Sequence, residues 1–197
     1  MRRAILARHG ESEYSAYGRL NGDITVPVAL TQQGIREAVA LGEALVQEQL
    51  ELCVTSEFQR ARETADIALQ GRDVPRLVDP RLNDPLIGRY EGSEIEEYRA
   101  WASSSSSSAA PEPDGESRLA IVERYTRAFR DLLARPEETI LVVCHSLPVS
   151  YALAAREGTP PGTRVPLAEH AKPYSFTAEE LDAAAALLER WAASPTW

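Results

Sequence analysis

The hexapeptide Thr139-Ile-Leu-Val-Val-Cys144 constrains the fold of this chain more than any other stretch. It is continuously apolar, without the alternation of a strand that faces water on one side, and so reads as a strand buried on both faces. Strands of that kind belong to parallel sheets covered by helices. Three further short runs suit the same sheet: Ala4 to Ala7, Leu52 to Thr55 and Arg76 to Val78. Helical patterns separate them. Thr31 is placed to cap a helix reaching about Gln49, with Ile35, Ala38, Val39, Leu41, Leu45 and Val46 as its apolar positions. A second helix runs from Glu57 to Leu69 and closes at Gly71, and a third from Glu116 to Leu133 stops at Pro136. Pro148 fits the first turn of a fourth, which continues through Ala155 and ends at Gly158. Thr177-Ala-Glu-Glu180 reads as a capping box opening a fifth, to about Trp191. Short apolar runs alternating with longer helices predict a three-layer α/β/α fold around a mostly parallel central sheet.

The 197 residues are expected to form one domain, 1–197, large enough for a substantial core. One segment breaks the pattern. Ser103 to Ser108 is a pure serine run followed by Ala-Ala-Pro-Glu-Pro-Asp-Gly, which predicts a flexible, solvated loop over about 102–115. A lid over a site is the second reading of that loop.

Composition excludes several function classes. A formal net charge of −9 argues against nucleic acid or an anionic membrane as partner. No apolar stretch approaches the length of a membrane span. The apolar run after Met1-Arg2-Arg3 ends at Arg8, too short for a secretory signal, so the cytoplasm is the expected location. Cys53 and Cys144 both lie in strand-like stretches and read as packing residues, and with only His9, His145 and His170 beside them no zinc spacing exists. No metal and no cofactor is expected. Oligomeric state is not set by any feature of the sequence.

Polar residues follow the strands. Arg8 and His9 leave the first, Arg60 lies on the helix after the second, Asp84 is in the loop after the third, and His145 directly follows the central one. In open α/β sheets ligands bind at the carboxyl ends of strands. Phosphoryl transfer needs fixed cationic donors around three charged oxygens, which two arginines and a second imidazole supply without a metal. A neutral imidazole is a nucleophile if its other nitrogen donates to a backbone carbonyl, and a leaving alkoxide needs a proton from a carboxylic acid. Arg8, His9, Arg60, His145 and Asp84 are the residue types for those tasks.

Arg8-His9-Gly10-Glu11-Ser12, Leu30-Thr31-x-x-Gly34, Ser56-x-Phe58-x-Arg60-Ala61-x-x-Thr64-Ala65, Leu82-x-Asp84 through Gly88-x-Tyr90-Glu91-Gly92, Gly115-Glu116-Ser117 and Val142-Val143-Cys144-His145 follow one another along nearly the whole chain. In that order they resemble the motifs of the histidine phosphatase superfamily, the branch that includes cofactor-dependent phosphoglycerate mutases and many small phosphatases. The resemblance implies that His9 is phosphorylated. It implies that Arg8, Arg60 and His145 hold the phosphoryl oxygens, and that Asp84 protonates the leaving group and then activates water. The chain departs from the pattern at Asp84, where Glu is usual, with Pro85 offering a rigid turn beside the shorter side chain. It also departs at Ser15, where many relatives have Asn, and at Ser146, where glycine is usual. Asn21-Gly22 is kept, whereas Asp23 to Pro27 does not match the family's acidic turn. Ser15, Asn21, Gly22 and Ser146 are thus candidate substrate-pocket residues.

Glu91 and Glu116 are alternative carboxylates for the acid role. Glu11 reads as a structural hydrogen-bond acceptor, Arg62 as a surface charge, His170 as a solvated loop residue, and Trp101 as packing beneath the loop. The expected activity is metal-independent hydrolysis of a small phosphorylated substrate. The alternatives are a phosphoglycerate mutase-type phosphotransferase and a non-catalytic phosphate-binding protein on the same fold.

Overall fold

The computed structural model describes residues 1–197. Five strands form one sheet: β1 (Arg3–Arg8), β2 (Leu52–Thr55), β3 (Arg76–Val78), β4 (Thr139–Cys144) and β5 (Tyr174–Thr177). Their spatial order is β3-β2-β4-β1-β5, with every neighbouring pair parallel except β1 and β5. The helices are α1 (Glu13–Ala16), α2 (Gln32–Ala44), α3 (Gln59–Ala68), α4 (Ile95–Ser104), α5 (Arg118–Leu133), α6 (Ser146–Arg156) and α7 (Ala178–Ala193).

Two cores flank the sheet, and the period-2 geometry of the strands assigns residues between them. Ala4, Leu6, Leu52, Val54, Ile140 and Val142 pack on one face with buried residues of α5, α6 and α7. Ile5, Ala7, Cys53, Leu141 and Val143 pack on the other with α2 and α3. Each fully buried aliphatic side chain contributes about 1.5–3 kcal/mol relative to exposure, so the central strands of the sheet can carry no polar residue before their ends. That is why the chemistry begins where β1 and β4 stop.

Two caps behave as the sequence predicts: Thr31 accepts from the Gly34 amide, and Thr177 with Glu180 forms a capping box. Helix α5, expected from Glu116, is capped by Ser117, which accepts from the Ala120 amide. Gly71 and Gly158 take positive φ after α3 and α6, the conformation that favours glycine. Four elements differ from the reading. Helix α2 stops at Ala44, not near Gln49, because the Arg72 guanidinium accommodates the carbonyls of Leu45 and Glu48 in the turn that follows. Helix α1, helix α4 and strand β5 are additional. The serine run is corrected in part. Ser103 and Ser104 form the last turn of α4, their hydroxyls donating to the carbonyls of Arg99 and Ala100, four residues back. Ser107 is buried, and both its amide and its hydroxyl donate to the Trp197 carbonyl. Ser103, Ser104, Ser106 and Ser108 stay exposed, so the run meets solvent while it also ends a helix and buries Ser107.

Candidate active site

Register brings the two motif histidines together. Arg8 pairs with Cys144 across β1 and β4, and the His9 amide donates to the Cys144 carbonyl, 2.9 Å away. The rings of His9 and His145 then lie 5.3 Å apart, edge to face. The loop after β1 is held by the other motifs. The Gly10 amide donates to Thr64 Oγ1 (2.9 Å), and the Thr31 hydroxyl to Glu11 Oε1 (2.7 Å). A Cβ at Gly34 would sit 2.0 Å from the Glu11 carbonyl oxygen, so this position of α2 accommodates only glycine. Glu11 is an acceptor for Thr31, in its expected structural role.

Arg60, on the first turn of α3, is the hub. It is 3% exposed, whereas Arg62 points to solvent. Its Nε donates to His9 Nε2 (3.1 Å), one terminal nitrogen to Asn21 Oδ1 (2.6 Å), and the other to the Asn21 carbonyl (3.1 Å) and to Asp84 Oδ2 (2.8 Å). Asp84 Oδ2 also lies 3.2 Å from His145 Nδ1. Its backbone is pinned through Asn83, whose Oδ1 accepts from the Glu57 amide and whose carbonyl accepts from Tyr125. The loop beyond presses on Gly22, where a Cβ would lie 2.0 Å from the Pro85 carbonyl oxygen.

These contacts set tautomers and charges. His9 Nδ1 is 2.7 Å from the Gly10 carbonyl and donates to it, which leaves Nε2 as an unprotonated acceptor. Burial, then Arg60, Arg8 and His145, hold His9 well below the ordinary imidazole value, against the Gly10 carbonyl. Burial also lowers His145, to about 4, with Asp84 opposing and Arg60 and Arg8 reinforcing. Neutral His145 donates from Nδ1 to Asp84 and accepts at Nε2 from the Ser56 hydroxyl, 2.8 Å away. Burial favours protonation of Asp84, but His145 and Arg60 outweigh it and keep the carboxyl well below the usual carboxylate range. Arg8 is lowered to about 10 by burial, with Asp84 opposing, and stays cationic at neutral pH. It donates to the Ala168 carbonyl.

A cavity of about 190 Å³ opens over this cluster. Arg8, His9, Ser15, Asn21, Gly22, Arg60, Asp84 and Ser146 all line it; His145 is fully buried beneath and has no face on it. Asn21 and Gly22 are tied down by Glu91, which accepts from the Asn21 side-chain amide (2.9 Å) and from the Gly22 amide (2.7 Å). Glu116 is paired with Arg124 at 2.7 Å. Neither alternative carboxylate lines the cavity. The Ser15 hydroxyl closes the capping box of α1, and that of Ser146 accepts from the Ala168 amide, so both line the wall with their hydroxyls already engaged. Trp101 stacks with Tyr90 and Tyr98 and does not reach the cavity.

Sequence reasoning missed four neighbours. Ser56 orients His145 and sits inside a quoted motif. His170, read as a solvated loop residue, has its ring 5.8 Å from that of His9 and bridges to Arg8 along the sheet edge. Nothing in its local sequence signals this. Arg118 and Tyr98 line the far cavity wall.

His9, Asp84 and His145 offer donor atoms within 4.8 Å of one another, close enough for a metal. The Arg60 guanidinium contacts an atom of all three, so the cluster already surrounds a fixed cation. Two arginines, neutral imidazoles and a helix start at Ser146 make this an anion site.

A sequence model of the histidine phosphatase superfamily (branch 1) matches residues 4–193. The chain belongs to that superfamily. An adenosylcobalamin/alpha-ribazole phosphatase of Salmonella typhimurium is 33% identical over 161 residues, covering 77% of this chain and 78% of the relative. A probable phosphoglycerate mutase of Proteus mirabilis is 30% identical over 168 residues, covering 81% and 77%. The crystal structure of a putative alpha-ribazole-5′-P phosphatase from Escherichia coli superposes with a TM-score of 0.77 at 28% identity, covering 89% of this chain and 90% of that one. With its named phosphatase relatives, this histidine phosphatase superfamily member groups among the phosphoric monoester hydrolases.

Proposed function

We propose that this protein hydrolyses a small phosphomonoester through a phosphohistidine on His9, without a metal. The observation that carries the reading is the His9 ring itself. Its Nδ1 is anchored on the Gly10 carbonyl, and its unprotonated Nε2 faces the guanidinium that would hold the phosphoryl group. Arg8, Arg60 and the amides at the start of α6 balance the charge of the transferring oxygens. His145, tied to Ser56, stands behind them as a further donor once the Asp84 contact is exchanged for phosphate.

Beside His145 and Arg60, Asp84 is ionised, which is the wrong state for an acid. A bound phosphate dianion changes that. It competes for Arg60 and places like charge beside the carboxylate, and both effects raise the Asp84 pKa. Asp84 then takes up a proton with substrate, gives it to the leaving oxygen, and as a carboxylate draws a proton from the water that attacks phosphohistidine. The buried free thiols Cys53 and Cys144 support a cytoplasmic setting.

The test uses 4-nitrophenyl phosphate in excess EDTA. Turnover and an acid-labile, base-stable phosphoenzyme are expected, and His9→Ala should lose both, with a rate loss of about a thousandfold or more. Undiminished turnover by His9→Ala overturns the mechanism. The mutase alternative, which the Proteus relative favours, predicts a phosphoenzyme that transfers to added phosphoglycerate faster than to water.

A further inference from the structure

The cavity extends well beyond the phosphate cradle, and its charge is opposite to that of the protein. The chain carries 30 acidic residues against 21 basic ones. Yet the cavity wall holds six arginines (Arg8, Arg19, Arg60, Arg99, Arg118 and Arg164) and a single carboxylate, Asp84. Two of the six belong to the cradle. Arg99 and Arg164 are both drawn to Glu96 at the rim, and Arg19 is exposed.

Arg118 is different. It opens α5 and is partly buried, and no carboxylate lies within ion-pair distance of it. One terminal nitrogen donates to the Tyr151 hydroxyl (3.0 Å), itself buried. The remaining nitrogens have no protein partner and are not sealed from the cavity. Tyr98 stands on the same wall, 8% exposed, with a hydroxyl that makes no protein hydrogen bond. Its ring is fixed by Tyr90 and Trp101, at centroid distances of 5.7 and 5.6 Å. A half-buried guanidinium with free N–H groups beside an unpartnered phenol is the donor set for a planar or tetrahedral oxyanion. Holding a partly desolvated cation without a counter-charge is costly, and an anion bound beside it removes that cost.

We propose that the substrate bears a second anionic group, held by Arg118 and Tyr98 while its phosphoryl group lies between Arg8, His9 and Arg60. The proposal rests on the phosphatase reading for the position of the phosphoryl end. It commits the outer end of the cavity to an oxyanion, a carboxylate or a second phosphate, in place of a neutral alcohol or a base.

Binding can be read apart from turnover. In a His9→Gln background, calorimetry compares 3-phosphoglycerate with glycerol 3-phosphate, which differ by a carboxylate against a hydroxymethyl group. A second pair, fructose 1,6-bisphosphate against fructose 6-phosphate, asks the same of a phosphate. The expected result is a preference of roughly tenfold or more for the doubly anionic member of at least one pair, and the pair that shows it identifies the group. Adding Arg118→Gln should reduce that gap to within about twofold, and Arg118→Lys should restore part of it. Equal affinities within both pairs, no binding of any ligand, or a preference that Arg118→Gln leaves intact would each overturn the proposal. Hydrolysis of 4-nitrophenyl phosphate by the wild type is followed separately, so loss of the phosphatase reading shows there and not in the affinity ratio.

Discussion

The two ends of the cavity are built on different principles. At the inner end the polar groups bond chiefly to one another, although Arg8 Nε is buried without a partner. Arg60 alone contacts His9, Asn21, Asp84 and His145, and the surrounding backbone is held by Thr31, Thr64 and glycines that admit no side chain. At the outer end Arg118 has one neutral partner and the Tyr98 hydroxyl has none. Dense mutual bonding preorganises charge for a transition state. Sparse bonding leaves donors free for whatever the substrate brings. Inner changes should therefore depress all substrates together, whereas outer changes should reorder them.

Arg60→Lys is the strongest test of the inner end. Lysine keeps the charge but cannot donate to His9, Asn21 and Asp84 at once, because its ammonium is a point on a flexible stem. A fall in kcat/KM of about a hundredfold to a thousandfold is expected, nearly equal for aryl, alkyl and sugar phosphates. A loss confined to one substrate class would move Arg60 into the group that selects. Asp84→Asn comes next and should discriminate by leaving group. For 4-nitrophenyl phosphate, whose leaving group needs little protonation, the phosphorylation step should slow less than about tenfold. For an alkyl phosphate it should slow by about a hundredfold or more. Rapid-quench measurement of phosphoenzyme formation separates this step from hydrolysis, and equal losses would transfer the acid role away from Asp84.

The same contrast explains what could be read from the sequence. β2 and β4 are legible residue by residue because strands buried on both faces are written as nearly unbroken apolar runs, whereas β3 is exposed at all three positions and has only Leu77 and Val78 to mark it. β5 is not legible: it has one buried side chain, Phe176, and takes its place at the edge by pairing with β1. α4 was hidden by its serines, whose hydroxyls join the last turn only once the fold supplies carbonyls at the right distance. In the site, Arg8, His9, Arg60, Asp84 and His145 were legible because each follows a strand and the inner end has many partners, which forces fixed spacings. Arg118 and Tyr98 come singly from α5 and α4, with no spacing between them to read. His170 reaches His9 only because the segment before β5 runs alongside β1.

His170 also supplies the finest test of the inner end. All three histidines are lowered, each chiefly by burial: His145 and His170 to about 4, and His9 well below its ordinary value. The unfolded chain binds protons on these rings as the pH falls through about 6.5, while the folded chain does not. Stability is therefore fully present above pH 6.5 and falls from there to about pH 4, with each histidine adding roughly 1.4 kcal/mol per pH unit at full slope. Asp84, lowered in the folded state, adds its own loss only below about pH 4. Denaturant unfolding at half-unit intervals from pH 7.5 to 4.5 should thus show a descending limb, and His170→Gln should make it shallower by about one proton. Added inorganic phosphate should raise the curve, since it binds only the folded pocket. A flat profile across this window would mean that the inner end admits protons when folded, and the contrast between a densely bonded inner end and a sparsely bonded outer one would fail.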